Sequence, residues 1–271
     1  VLDLVVEGLR PTDRPFFTAK RLSVSLDWSR IASTRPELVM TSIEMFDWQM
    51  LVERFQEGGD NFPRFRQGGG GGSRRFTATL LYLRASRGHF TYEDHATPWS
   101  IVGPNIDINI TNFPRYHGDA SFKGGLVTIQ NYVPMWADFK ARFTIDGNLL
   151  RLDRVEMDTD GARSTAEGAI EVNRWPEQSY QVTSRVQFGR MRELFFAKER
   201  WNLAGDGDFT GVFHLFRGGH ELSGDFTSEV AGVDDYRFPS LYGSLRWTRD
   251  GFHVTNAGAR LFDGNAKFTF G

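Results

Sequence analysis

Cysteine is absent from the 271-residue chain, which excludes disulfide staples, thiolate metal centres and a cysteine nucleophile. No apolar run reaches the about eighteen residues that a membrane-spanning helix requires, and no signal peptide is visible. Charge of one sign is missing too. Lys and Arg number 32 against 34 Asp and Glu, a formal net charge of −2, so no field draws nucleic acid or an acidic polymer. The spaced patterns G-x-S-x-G, H-E-x-x-H and G-x-G-x-x-G do not occur, which removes the usual sequence marks of a nucleophile turn, a zinc protease helix and a dinucleotide loop.

What is abundant is phenylalanine, 24 residues, and glycine, 29. Aromatic and β-branched enrichment with frequent glycine turns points to an all-β chain. Apolar and polar residues alternate with period two almost throughout. "RLSVSLDW" sets Leu22, Val24, Leu26 and Trp28 on one face, and "RFTATLLYL" opens with Phe76, Ala78 and Leu80. "NIDINI" aligns Ile106, Ile108 and Ile110. "DFKARFTID" aligns Phe139, Ala141, Phe143 and Ile145 against Lys140, Arg142 and Thr144. "GDFTGVFHLF" gives Phe209, Gly211, Phe213 and Leu215, and the last strands give Phe252, Val254, Phe268 and Phe270. Asp146-Gly147-Asn148, Asp160-Gly161, Asp250-Gly251 and Asp263-Gly264 mark turns between strands. The spacing is that of an antiparallel meander.

One helix is expected, "RMRELFFAKERW" at 190–201, where Met191, Leu194, Phe195 and Lys198 fit a 3.6 period. Five consecutive glycines, Gly68 to Gly72, mark residues 67–75 as a flexible loop or linker. Segments 155–172 and 252–270 share the order strand, Gly-Ala-Arg, Gly, strand, which suggests a repetitive β-array. The chain starts in "VLDLVVEGL" without Met and stops in "AKFTFG", both in mid-pattern, as expected of a piece cut from something longer. Residues 1–271 read as a single continuous β segment.

The strongest candidate for chemistry is "GHFTYEDHATPW", residues 88–99, with His89, Glu93, Asp94 and His95. Phe90 and Tyr92 alternate with His89, Thr91 and Glu93, so the stretch reads as a strand with a polar face that ends in a turn before Pro98. Two histidines without a third nearby fall short of a tetrahedral zinc set. His214 and His220 flank a hairpin tip and are expected in solvent, and Asp234-Asp235 lies in a loop. No catalytic, cofactor or metal residue is assigned, and the chain is not expected to be an enzyme.

The first ninety-five residues carry an ordered set of motifs. They are Phe17, Ala19, Leu22, Val24, Leu26 and Asp27, then Arg54, Gly58 or Gly59, Asn61, Phe62 and Pro63, then Gly88, Phe90, Tyr92 and Asp94. This order resembles the AsmA-like superfamily of envelope proteins, whose members include AsmA, TamB and YhdP. Segments 139–172 and 244–271 resemble that family's later repeats. The family's N-terminal membrane helix and C-terminal region are not in this sequence.

The resemblance implies a long antiparallel sheet curled into an open hydrophobic groove, taco-like in section. It implies a periplasmic location, with the parent protein anchored in the inner membrane. The implied function is passive movement of phospholipid between inner and outer membranes, without cofactor. The acyl chains would lie along the apolar rows named above. Membranes would be reached through parts outside this chain, and outer-membrane assembly proteins are further implied partners. The alternative is a scaffold that assists outer-membrane protein assembly through strand-edge pairing.

Overall fold

A computed structural model describes residues 1–10, 13–31, 38–62, 78–96, 98–112, 115–174, 177–261 and 264–271. Phe76, the 67–75 loop, Pro63, Asp263 and the side chain of Ala78 lie outside what is described. The chain divides into two compact units, Val1–Gly125 and Leu126–Gly271.

The first unit holds β1 (Leu2–Val6), β2 (Phe17–Leu26), a single-turn helix α1 (Trp28–Ile31), β3 (Leu38–Arg54), β4 (Ala78–Leu80), β5 (Tyr82–Asp94) and β6 (Trp99–Asn112). Strand β7 (Tyr116–Ile129) runs across the division. The second unit holds β8 (Met135–Asp146), β9 (Leu149–Thr159), β10 (Ala162–Glu171) and β11 (Gln178–Gln187). Helix α2 (Phe188–Phe195) follows, then β12 (Leu203–Phe216), β13 (Gly219–Val233), β14 (Tyr236–Thr248), β15 (Phe252–Leu261) and β16 (Gly264–Phe270). The fold is all-β. The strands form one sheet in chain order from β1 to β16, except that β4 sits off the path on β3, and the sheet does not close into a barrel.

The antiparallel expectation needs one correction. Strands β3 and β5 run parallel, with Ile43 opposite Leu83 and Arg54 opposite Asp94, and β4 also joins β3 in parallel. A parallel pair needs a long return connection, and the long segment after β3 supplies the length. The remaining described pairs are antiparallel, as two-residue turns such as Gly147-Asn148 favour; Gly147 takes φ +58° and Gly161 φ +87°, where glycine carries no side-chain penalty.

Three further expectations change. The helix spans Phe188–Phe195 instead of 190–201. Phe196 still bonds Arg192 O through its N–H but leaves helical geometry at φ −126° and ψ 33°, and Arg192 Nε donates to Trp201 O at 2.8 Å, folding the following segment back. Trp28 does not continue the β2 row: Asp27 accepts hydrogen bonds from Ser29 N (3.1 Å) and Ser29 Oγ (2.6 Å), which turns the chain into α1 and leaves Trp28 70% exposed. The two Gly-Ala-Arg triplets are not equivalent. Gly161 stands in the β9–β10 turn, whereas Gly258, Ala259 and Arg260 lie inside β15.

Within the first unit, left-handed residues line up across neighbouring strands: Asp3 in β1, Asp47 in β3, Arg87 in β5 and Asn105 in β6, with φ between 49° and 54°. Pairing is interrupted at these positions, but the register itself shifts there only between β5 and β6, around Gly88, where bulges add local twist. Arg87 chelates Asp47 at 2.6 and 3.0 Å and stacks on the Phe46 ring, as Arg21 does. Just beyond this row the Trp48 indole lies directly over Gly88, where any Cβ would enter the ring. Gly88→Ala is therefore expected to lower unfolding free energy by about 2 kcal/mol through overpacking, measured by urea denaturation; an unchanged midpoint would contradict the contact.

Candidate functional site

Partners across a β ladder point to the same face, and successive residues to opposite faces. The strand registers therefore sort the side chains of each unit. In the second unit Phe139, Ala141, Phe143 and Ile145 of β8 pair with Met157, Val155, Leu152 and Leu150 of β9. These lead through Ser164, Ala166, Gly168 and Ile170 of β10 to Ser184, Val182, Tyr180 and Gln178 of β11. Phe209, Gly211, Phe213 and Leu215 of β12 follow, then Phe226, Gly224, Leu222 and His220 of β13. Leu245 and Trp247 of β14, Val254 and Phe252 of β15, and Phe270 and Phe268 of β16 complete the face. Across nine consecutive strands these named partners thus form one row-by-row face that includes no Asp, Glu, Lys or Arg. The opposite face carries the charges. Arg163 pairs with Asp158 at 2.7 Å, Arg185 with Asp206 and Asp208 at 2.7 and 2.8 Å, and Arg246 with Glu221 at 3.0 Å.

Every residue expected to line a groove in this unit falls on the uncharged face, but not equally deep. Phe143, Phe209 and Leu215 are buried; Phe139, Ile145, Phe213, Phe252 and Val254 are half-buried; Phe268 and Phe270 are exposed on the last strand. In the first unit Leu22, Val24, Ile106, Ile108 and Ile110 also share one face, linked through Met45 and Ile43, then Ala85 and Leu83. Leu26 and Leu80 both meet Met40. Ile106 is buried, Val24 exposed, and the others half-buried.

Helix α2 packs on the apolar side of the second unit. Leu194 is fully buried, and Phe195 stands edge-on to Trp247 (5.5 Å) and Tyr132 (5.0 Å). Phe196 meets Phe252 at 5.4 Å, and Val133 N donates to Leu194 O at 3.3 Å. Strand β14 lies six places from β8, roughly 29 Å away if this part of the sheet were flat. Yet the ring of Tyr132, just before β8, is 6.5 Å from that of Trp247. The apolar face of this unit is therefore bent inward around α2. Arg190 anchors the helix to the β9–β10 turn through Asp160 at 2.8 and 2.5 Å, and holds that carboxyl below its usual range.

Two polar features interrupt the apolar faces. In the first unit Arg54 Nη1 donates to Asp94 Oδ2 at 2.9 Å, with side chains 9% and 0% exposed. Tyr92, on the same face, packs on Trp99 at 4.7 Å, and burial pushes its phenol up. Asn61 turns the chain back onto β3: its Nδ2 donates to Leu51 O (2.7 Å) and its Oδ1 accepts from Glu53 N (2.8 Å). Arg54, Asn61 and Asp94, which belong to separate sequence motifs, are thus fastened to one strand end. In the second unit His220, expected in solvent, is buried on the apolar face opposite Leu215. The two-residue turn Arg217-Gly218 places it there: Phe216 pairs with Gly219 and Leu215 with His220.

The stretch 88–99 ends as a polar strand, with His89, Thr91 and Glu93 on the face away from Tyr92. Glu93 lies directly opposite Glu53, and with His95 these residues offer three ligand atoms within 4.8 Å of one another, a grouping that sequence reading missed. Arg14 answers the carboxylates. It donates to Glu53, and to Glu93 at 2.5 and 3.3 Å, and these bonds raise its own pKa. Arg14 bridges both carboxylates, with the His95 ring beside them, and the cluster reads as an ion-pair network. Asp234, in the β13–β14 turn, exchanges hydrogen bonds with Asn202 and shows no acid–base partner among the described residues.

No family model, no characterised protein and no solved structure matches this chain.

Two outcomes follow. Arg54→Leu strands a buried carboxylate and is expected to cost about 3–5 kcal/mol, with much of the loss recovered in the Arg54→Leu/Asp94→Leu double variant; additive losses in chemical denaturation would contradict the pairing. Burial lowers the His220 pKa from its ordinary 6.5. The unfolded chain then takes up the proton first, so this contribution to stability is full above about pH 6.5 and is lost as pH falls. His220→Phe is expected to flatten the fall in melting temperature between about pH 7 and pH 5; an identical slope would place the imidazole in water.

Proposed function

We propose that this chain is a periplasmic segment of an AsmA-like envelope protein, and that its apolar sheet faces carry phospholipid acyl chains between membranes without a chemical reaction. The observation that supports this reading is the uncharged face of β8–β16. Its polar residues are few, and its phenyl rings are in part only half-buried, so apolar surface remains to be covered. Each methylene withdrawn from water is worth about 0.8 kcal/mol, so a chain of about sixteen carbons gains on the order of 10 kcal/mol from such a surface. A phosphate headgroup finds no cation on this face and stays in water at its margin. Passage needs no reacting residue.

The test is photocrosslinking in cells. A crosslinker at half-buried Phe139 or Phe213 is expected to capture phospholipid, and one at Lys140, on the charged face, to capture none; the reverse pattern would overturn the face assignment. Phe213→Asp is expected to abolish capture at Phe139 while the protein still folds. Phe143 and Phe209 are unsuitable sites, because charge there would cost folding itself.

The last strand favours a second reading. Strand β16 carries Phe268 and Phe270 exposed, apolar surface that pairing with another chain would cover. A scaffold of that kind would lose function on Phe268→Pro and tolerate Phe213→Asp, which separates it from the lipid reading.

A further inference from the structure

Two buried nitrogens on the uncharged face have no hydrogen-bond partner: Nε2 of Gln178 and Nε2 of His220. Both residues are 7% exposed. They stand on either side of Leu215, since Gln178 pairs with Leu215 across β11–β12 and His220 with Leu215 across β12–β13. Two strand spacings of about 4.8 Å separate their backbones, and both side chains project to the apolar side. An unsatisfied buried polar group is costly, and two on one row of an otherwise apolar surface call for a ligand.

We propose that Gln178 and His220 form a subsite for the ester carbonyls of an acyl lipid. The inference rests on the lipid reading above and names the chemistry by which the guest is held. Tyr180 fixes the polarity of the site, because its hydroxyl donates to Gln178 Oε1 and so leaves the amide N–H₂ as the group on offer. Burial raises the Tyr180 phenol, which keeps it a donor, and lowers the His220 imidazole, which keeps it neutral. A neutral imidazole with hydrogen on Nε2 donates in the same way. Two donors ask for two acceptors, and a diacyl glycerolipid brings two carbonyl oxygens between its tails and its headgroup.

The surroundings exclude other guests. With no Lys or Arg on this face, a fatty-acid carboxylate or a phosphate would be buried without compensation. A plain hydrocarbon would leave both nitrogens unsatisfied. Phe213 lies 6.4 Å from both the His220 and Tyr180 rings, and Trp247 stands edge-on to His220 at 5.0 Å, so the walls suit the first carbons of the tails. Phe195 of α2 packs on Trp247 at 5.5 Å; a guest reaches the imidazole by shifting this ring pair.

The experiment compares dioctanoyl phosphatidylcholine with its dioctyl ether counterpart, which has the same tails and headgroup but no carbonyl. Binding to the full chain is measured by calorimetry below micelle formation. The wild type is expected to bind the diester about tenfold or more tightly, the worth of one to two buried hydrogen bonds. Gln178→Leu and His220→Phe are expected to lose that preference while keeping ether binding; the melting temperature is expected to hold in His220→Phe and to fall in Gln178→Leu, which strands the Tyr180 hydroxyl. Equal affinity of the wild type for both lipids overturns the subsite and leaves the lipid reading in place. Binding of neither lipid overturns the lipid reading itself. Should a variant fail to fold, the wild-type comparison alone decides.

Discussion

Strand register is the constraint on which the rest of this structure depends. A slip of one residue between any two neighbours would turn a whole apolar row outward and bring its charged row in. From β8 to β16 the described ladders avoid this, despite bulges at Arg142/Phe143, Ala166/Gly168, Gly205/Asp208 and Val254/Ala257. Cross-strand ion pairs on the opposite face, Arg185 with Asp206 and Asp208 or Arg246 with Glu221, are exposed and each adds little stability. Their effect is to oppose misalignment, because a shifted strand would carry its arginine away from these partners. The two-faced sheet thus follows from pairing rules and side-chain polarity.

The polar residues on the inner faces stand out against that background. Arg54 and Asp94 satisfy each other where the polypeptide leaves β3 and β5, and Asn61 ties down the adjoining turn. A buried pair of this kind specifies which two strand ends meet more than it adds to stability, which suits a parallel pair whose connection is long. Gln178 and His220 differ, since the fold leaves each with an unsatisfied nitrogen. The same face that would welcome an acyl tail therefore also holds the polar positions at which its attachment to glycerol could be recognised.

Much of this was legible in the alternation of residues. The rows at 139–145, 209–215 and 106–110 each read correctly as one face, because period two is a property of the extended backbone and needs no partner strand. What escaped depends on partners or on local capping. The parallel pairing of β3 with β5 has no local signature. Trp28 kept the alternation of β2, but the Asp27 carboxylate capped Ser29 and turned the chain. His220 was readable in principle, since counting back from Arg217-Gly218 sets it beside Leu215; judged alone, a histidine near a hairpin tip reads as solvated. Arg14 could not be assigned to Glu53 and Glu93 before the pairing of β3 with β5 placed those two carboxylates side by side.

The central claim is that the uncharged face of β8–β16 is a surface for acyl chains. Native mass spectrometry of the full chain, isolated from cells without detergent, tests it most directly. The account predicts adducts with the masses of diacyl phospholipids, lost when Phe139 and Phe213 are replaced by aspartate. Bare protein from the unsubstituted chain, folded and free of lipid, would contradict it.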